Sequence, residues 1–207
     1  MEYIITIIIG YIIGCSHMSY YISKFKNINI KENGSKNYGA SNTVALVGWK
    51  AGILVAIHDI GKAIISVILS KTLFPNIPYI DVIVGVSCII GHIFPFYLGF
   101  DGGKGFASFI GMTIALNWKF AIILIIVILI LTLLTDYIVS GTFFAITATP
   151  LYIGISSSDY IPALIILISS LIIFYKHKQN IINLKNGTEM RFSKAKNNEY
   201  KKGENNE

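Results

Sequence analysis

Residues 105–134 read GFASFIGMTIALNWKFAIILIIVILILTLL, an apolar run broken once by Asn117-Trp118-Lys119. A helix that crosses the hydrocarbon of a bilayer needs roughly 20 mostly apolar residues, and this run holds about one and a half such lengths. It therefore reads as two helices, 105–117 and 119–134, joined by a short polar turn. Working outward, comparable runs lie at 3–22, 44–70, 80–98, 137–155 and 160–175. The expected fold is an all-α integral membrane protein of about seven transmembrane helices, forming one domain over residues 1–192. The polar, Asn-rich stretch 193–207 is expected to be a disordered tail.

Composition agrees with this reading. Of the 207 residues, 54% are hydrophobic and 14% charged, against about 25% charged in an ordinary soluble domain. A soluble or disordered chain is excluded. Cys15 and Cys88 both lie within apolar runs and read as packing residues, not as a disulfide framework. The chain turns apolar immediately after Met1-Glu2, without the basic region of a secretory signal, so the first segment is expected to stay as a span.

Seven crossings place the two ends on opposite sides, and the basic residues choose between them. Lys24, Lys26, Lys31 and Lys36 follow the first span, Lys104 follows the third, and Lys176, Lys178, Lys185, Arg191, Lys194, Lys196, Lys201 and Lys202 follow the last. Thirteen of 17 basic residues thus share one face, against Lys71 and Lys119 on the other. The expected topology has the N-terminus outside and the C-terminus in the cytoplasm. Lys50 and Lys62 fall within the second apolar segment. The net charge of +6 then follows from membrane topology and calls for no nucleic-acid partner.

Charged groups within a span are costly and are candidates for function. Asp59 and Lys62, three apart on one helix, read either as a structural ion pair or as ligand contacts, and His58 lies beside them. His92, in Gly91-His92-Ile93-Phe94-Pro95, reads as a helix-to-helix hydrogen bond more readily than as a catalyst.

Three cytoplasmic pieces carry the chemistry. In Asp101-Gly102-Gly103-Lys104-Gly105, three glycines around a lysine let consecutive amides face one anion, and the helix that follows adds its N-terminal amides. The same glycines also suit a plain turn between helices. The segment from Asn33 to Asn42 is rich in turn formers, hydroxyls and amides and reads as a phosphate loop or as a simple link. His177 and Asn180, with Asn186-Gly187-Thr188-Glu189 after them, form the third piece. None has Walker spacing, and no Cys/His or carboxylate cluster suits a metal.

Taken in this order and spacing, these residues resemble the bacterial acyl-phosphate:glycerol-3-phosphate acyltransferase family, over about Gly14 to Glu189. The carriers are Gly34-Ser35 through Asn42, Asp59 and Lys62, Gly91 to Pro95, Phe100 with Gly102 to Ala107, and His177 with Asn180, Ile181 and Gly187-Thr188-Glu189. The resemblance implies seven spans in a bacterial cytoplasmic membrane. It also implies transfer of a fatty acyl group from acyl phosphate to the 1-hydroxyl of glycerol 3-phosphate, giving lysophosphatidic acid for phospholipid synthesis without a cofactor.

Carried over residue by residue, the resemblance makes Ser35, Lys104 and His177 catalytic. Gly34, Asn37, Asn42, Gly102, Gly103, Gly105 and Asn180 would bind substrate, and Asp59, Lys62, His92 and Glu189 would support them. A mixed anhydride already has a good leaving group, so the task is to align two anions and neutralise the departing phosphate. The hydroxyl proton then passes to that phosphate or to His177.

The chain departs from the family at Lys36, where glycine is usual, at Ser41 for threonine, and at Ala45 and Asn183, where arginines are usual. Lysine does not reproduce the bidentate geometry of arginine; Lys36 is the expected source of replacement charge. Two other readings stay open. One is a divergent relative with another acceptor or no catalysis; the other is a small transporter with a polar path along His58, Asp59 and Lys62.

Overall fold

The structure, a computed structural model, describes residues 1–196. Helices are the only long elements among them: α1 (Glu2–Cys15), α2 (Met18–Lys26), α3 (Ala40–Val47), α4 (Trp49–Leu73), α5 (Ile80–Ile93), α6 (Phe106–Leu116), α7 (Trp118–Thr135), α8 (Ile138–Ser156), α9 (Ile161–Lys176), α10 (Lys178–Lys185) and α11 (Phe192–Lys196). Each apolar run became a helix because a backbone removed from water must satisfy its own polar groups.

The chain runs between two ends seven times. At one end Tyr3 donates to the Pro78 carbonyl, 3.3 Å away, and Tyr79 bonds Asp159, which gathers the start of α1 with the α4–α5 and α8–α9 turns. At the other end Lys31 pairs with Asp101 at 2.6 Å, Lys104 bonds Asn180 at 2.6 Å and Asp136 accepts from the Ser193 amide at 2.8 Å. Those bonds gather the α2–α3, α5–α6 and α7–α8 loops with the segment after α9.

Five helical segments, Glu2–Lys26, Trp49–Leu73, Ile80–Leu98, Trp118–Thr135 and Ile138–Ser156, are long and apolar enough to cross a membrane. α9 and α10, bent by 45°, make a sixth if counted together. α6 has 11 residues, about 16 Å at 1.5 Å per residue, so the expected span 105–117 is a helix too short to cross alone. The expected segment 44–70 also differs, since Gly48, at φ 114°, separates α3 from α4. Lys50 lies in the first turn of α4 at the loop-rich end, whereas Lys62 is 5% exposed in mid-helix.

The bundle is apolar outside as well as inside. Ile4, Ile8 and Ile12 on α1, Ile122, Ile126 and Leu133 on α7, and Leu164, Ile168 and Leu171 on α9 form exposed stripes at helical spacing. Water would not tolerate a mantle of this size; the chain is a multi-pass membrane protein. Inside, Ile89, Ile93, Phe109, Met112, Ile146, Ile166 and Ile173 join α5, α6, α8 and α9. α11 takes in the start of the expected tail, and residues 197–207, for which disorder was expected, lie outside the described residues.

The tightest helix pair is α1 with α5, and glycine makes it possible. A Cβ on Gly14 would lie 2.1 Å from the Cys88 carbonyl oxygen, and one on Gly91 2.1 Å from that of Tyr11. Small residues let two helices approach in this way. Gly14→Val is expected to destabilise the bundle by about 2 kcal/mol or more, read as a lower thermal midpoint in detergent. Gly61→Ala, with open space around the added carbon, is the control and should leave the midpoint equal or higher.

Candidate functional site

The first loop, between α2 and α3, has no helical hydrogen bonds of its own, and Asn42 supplies them. Its amide donates to the Ile30 and Asn37 carbonyls, both at 2.9 Å, and its Oδ1 accepts from the Ser35 amide at 2.8 Å. A buried amide thus takes the place of missing backbone partners. Gly34 and Lys36 both take left-handed backbone, at φ 60° and 51°. Only glycine fits at 34, where a Cβ would lie 2.3 Å from Asn42 Oδ1. The outcome is an exposed Ser35 whose hydroxyl accepts from Asn37 Nδ2 at 2.9 Å.

The glycine loop is placed as expected, but its amides are used differently. The Gly102 and Gly103 N–H groups donate to the Ile93 and His92 carbonyls, at 3.0 and 3.1 Å, and so staple the loop to the last turn of α5. Consecutive amides at 102 and 103 therefore do not face an anion. Those glycines serve close approach: a Cβ on Gly103 would lie 2.0 Å from His92 Nε2. The amides with no intrahelical partner are those of Phe106 and Ala107 at the start of α6, capped by Gly105 at φ 91°. All three residues line the cavity, at the positive end of the α6 dipole.

Lys104 extends toward α10 and donates to Asn180 Oδ1, while Asn180 Nδ2 donates to Glu189 Oε1, each at 2.6 Å. Burial pushes the Lys104 pKa below its usual value; Glu189 partly offsets this and Lys176 adds to it. A half-buried cation held in this way gains from the arrival of an anion. His177, buried at the bend between α9 and α10, has Nδ1 2.8 Å from the Ile173 carbonyl. A carbonyl only accepts, so Nδ1 carries hydrogen and Nε2 is the basic nitrogen of the neutral ring.

Behind the glycine loop lies a second polar cluster within the bundle. Lys62 Nζ stands 3.0 Å from Asp59 Oδ1, 2.6 Å from the Ser16 carbonyl and 2.8 Å from His92 Nδ1. Asp59 is thus paired with Lys62, and it also lines the cavity. His58 reaches Asp59 Oδ1 at 3.3 Å and Ser16 Oγ at 3.0 Å.

A cavity of about 150 Å³ is lined by Ser35, Asn37, Lys104, Gly105, His177, Asn180, Glu189, Asp59 and His92. It adjoins a wider space of about 680 Å³, lined in part by Gly34, Lys36, Ala45, Gly102, Lys176 and Asn183. An apolar groove of about 200 Å³, between α3, α4 and the start of α8, shares Ala40, Ser41, Ile138 and Met190 with the inner cavity. Of the candidate residues named from the sequence, Asn42, His58, Lys62 and Gly103 are among those that line neither polar space. They hold the residues that do.

Sequence reasoning passed over Thr142 and Met190. Thr142, a hydroxyl four residues after Ile138, had a detectable signal as a small polar group in an apolar span. Met190, which borders all three spaces, had none. The Lys31–Asp101–Lys176 bridge, at 2.6 and 3.1 Å, also gives Lys176 a place on the rim, where the sequence suggested only a topological anchor.

Residues 4–187 match the family described as glycerol-3-phosphate acyltransferase. Glycerol-3-phosphate acyltransferase 1 of Oceanobacillus iheyensis is 41% identical over 192 residues, covering 87% of this chain and 90% of that protein. The glycerol-3-phosphate acyltransferase of Lactiplantibacillus plantarum is 34% identical over 190 residues, 91% of each chain. Among solved structures, the integral membrane glycerol 3-phosphate acyltransferase PlsY (YgiH) in its glycerol 3-phosphate form superposes with a TM-score of 0.87 at 26% identity, covering 95% of this chain and 98% of that one. Its lysophosphatidic acid form gives 0.83 at 26% identity, covering 92% and 95%.

Proposed function

Because this chain belongs to the glycerol-3-phosphate acyltransferase family, we propose that the cavity between the first loop, the glycine loop and α10 is where it acylates glycerol 3-phosphate. The enzyme makes lysophosphatidic acid, and the acyl donor in this reading is acyl phosphate. The observation that carries it is convergence: Ser35 and Lys104 from two loops, and His177 and Asn180 from the α9–α10 bend, line one small cavity.

The chemistry follows from the groups present. The Lys104 ammonium and the α6 amides meet charge that moves onto the departing phosphate. Ser35 and Asn37 present a hydroxyl and an amide to a phosphate from the opposite wall, with Gly34 shaping their loop. His177 Nε2 accepts the proton of the 1-hydroxyl, or the leaving phosphate takes it directly. The apolar groove by Ile138 and Met190 gives the acyl chain a way in from lipid. Asp59, Lys62 and Glu189 hold the polar walls in place. The bundle sits in a bacterial cytoplasmic membrane with its lysine-rich end, and so the site, in the cytoplasm. The transporter reading has no comparable support, since Asp59 and Lys62 in the middle of α4 are paired with one another.

Purified protein in detergent, given labelled glycerol 3-phosphate, should form lysophosphatidate from palmitoyl phosphate and not from palmitoyl-CoA. A well-folded preparation that gives no product from palmitoyl phosphate would overturn the reading.

Lys36 supplies a finer expectation. It lines the wider space, its ammonium has no partner among the described residues, and its left-handed backbone costs roughly 1 kcal/mol. Lys36→Gly should leave the thermal midpoint equal or higher and raise the KM for glycerol 3-phosphate about tenfold, the 1.4 kcal/mol scale of one charge-assisted bond. An unchanged KM would show that Lys36 does not meet the acceptor.

A further inference from the structure

Resting on the acyltransferase reading, we propose that His92 is a hydrogen-bond donor to the reacting acyl phosphate, with its proton held on Nε2 by the buried Lys62. The tautomer follows from counting donors. An ammonium has three hydrogens and no lone pair. Lys62 has three neighbours within hydrogen-bond distance: the Ser16 carbonyl at 2.6 Å, His92 Nδ1 at 2.8 Å and Asp59 Oδ1 at 3.0 Å. Each of them must accept. His92 Nδ1 therefore presents its lone pair to Lys62, and the hydrogen of the neutral ring sits on Nε2. Asp59 is no rival for Nδ1, because its nearer oxygen stands 3.6 Å away, beyond hydrogen-bond reach.

The ring is fixed from its other sides. His17 stacks on it at 4.8 Å, with its own ring held between the Cys15 carbonyl, 2.6 Å from Nδ1, and the His92 carbonyl, 2.9 Å from Nε2. Against Nε2 lies Gly103, whose missing side chain is what lets the ring approach the glycine loop. His92 is 2% exposed, lines the inner cavity, and its Nε2 has no acceptor among the described residues. A donor on the cavity wall with no acceptor in the protein is free to meet a ligand there.

The acyl phosphate provides it. In the transfer, the 1-hydroxyl oxygen of the acceptor bonds to the acyl carbon, and the bond from that carbon to the bridging phosphate oxygen breaks with its electron pair. The hydroxyl proton ends on phosphate. His92 keeps its own proton throughout and steadies an oxygen that gains charge as the bond breaks, so its contribution appears in kcat more than in KM.

The test compares His92→Gln, which keeps an amide donor, with His92→Met, which keeps volume without one. Lysophosphatidate formation from palmitoyl phosphate is followed for both, with thermal midpoints measured beside it. The expected result is a 10²–10³-fold loss of kcat in His92→Met, recovery to within about tenfold of wild type in His92→Gln, and KM values for glycerol 3-phosphate changed less than threefold. Equal activities of the two folded variants, whether high or low, would overturn the proposal. Nitrogen-15 spectra of histidine-labelled wild type decide the matter if His92→Met does not fold: hydrogen on Nδ1 of His92 overturns it. An inactive wild type with the Nε2–H tautomer in place would count against the acyltransferase reading, and the donor role would fall with it.

Discussion

Lys104→Met is expected to lower kcat for lysophosphatidate formation by about 10²–10³, the usual effect of removing a positioned group from developing charge. Methionine keeps most of the stem, so the loop staple from Gly102 and Gly103 to α5 should survive and the thermal midpoint should stay close to wild type. What disappears is the ammonium between Asn180 and the α6 amides. Wild-type kcat in Lys104→Met would mean that the shifting charge is met elsewhere.

The same residue should set an alkaline limit on kcat/KM. Burial, the largest influence, lowers the Lys104 pKa, so the free enzyme loses this cation at a lower pH than an exposed lysine would. Activity falls as pH rises through that value, and the falling limb should vanish in Lys104→Met. Adding acyl phosphate in excess should move the limb upward, because an anion beside the ammonium favours its charged form.

Lys62→Met should be the most damaging change to stability. It strands a 1% exposed Asp59 carboxylate together with the Ser16 carbonyl and His92 Nδ1, and removing one partner of a buried pair typically costs about 3–5 kcal/mol. Within an apolar bundle no solvent is at hand to replace it. The thermal midpoint in detergent should fall sharply. Asp59→Asn combined with Lys62→Met should cost less than the two single changes added together, since the second change removes the stranded charge. Strict additivity, or a single variant as stable as wild type, would show that the pair is not coupled.

Much of this was open to sequence reasoning, for physical reasons. Hydropathy alone gave an all-helical membrane protein, because backbone in lipid has few options. Lys104 read as an anion partner from its neighbouring glycines, whereas the expected roles of His177 and Asn180 came from the family resemblance. The use made of the glycines was not readable. A turn with three glycines looks the same on paper whether its amides point at a ligand or at the end of the preceding helix. Asn42 likewise carries the chemistry of a ligand contact, and only the course of the loop shows that its amide is fully engaged with Ile30, Ser35 and Asn37. The bounds of α6 were nearly legible, since Gly105 and Asn117 flank its 11 residues; only its status as a full span was overstated.

The order of parts along the chain has a consequence for biogenesis. Ser35 is made early and Lys104 midway, whereas Asn180, Glu189 and Met190 leave the ribosome only after α9, and Ser193 then docks on Asp136. A nascent chain that has threaded six passes holds a lysine with neither its amide partner nor a closed wall beside it. If the proposed site is the catalytic one, chemistry is thereby tied to completed insertion, and a product truncated before Asn180 is expected to be inactive.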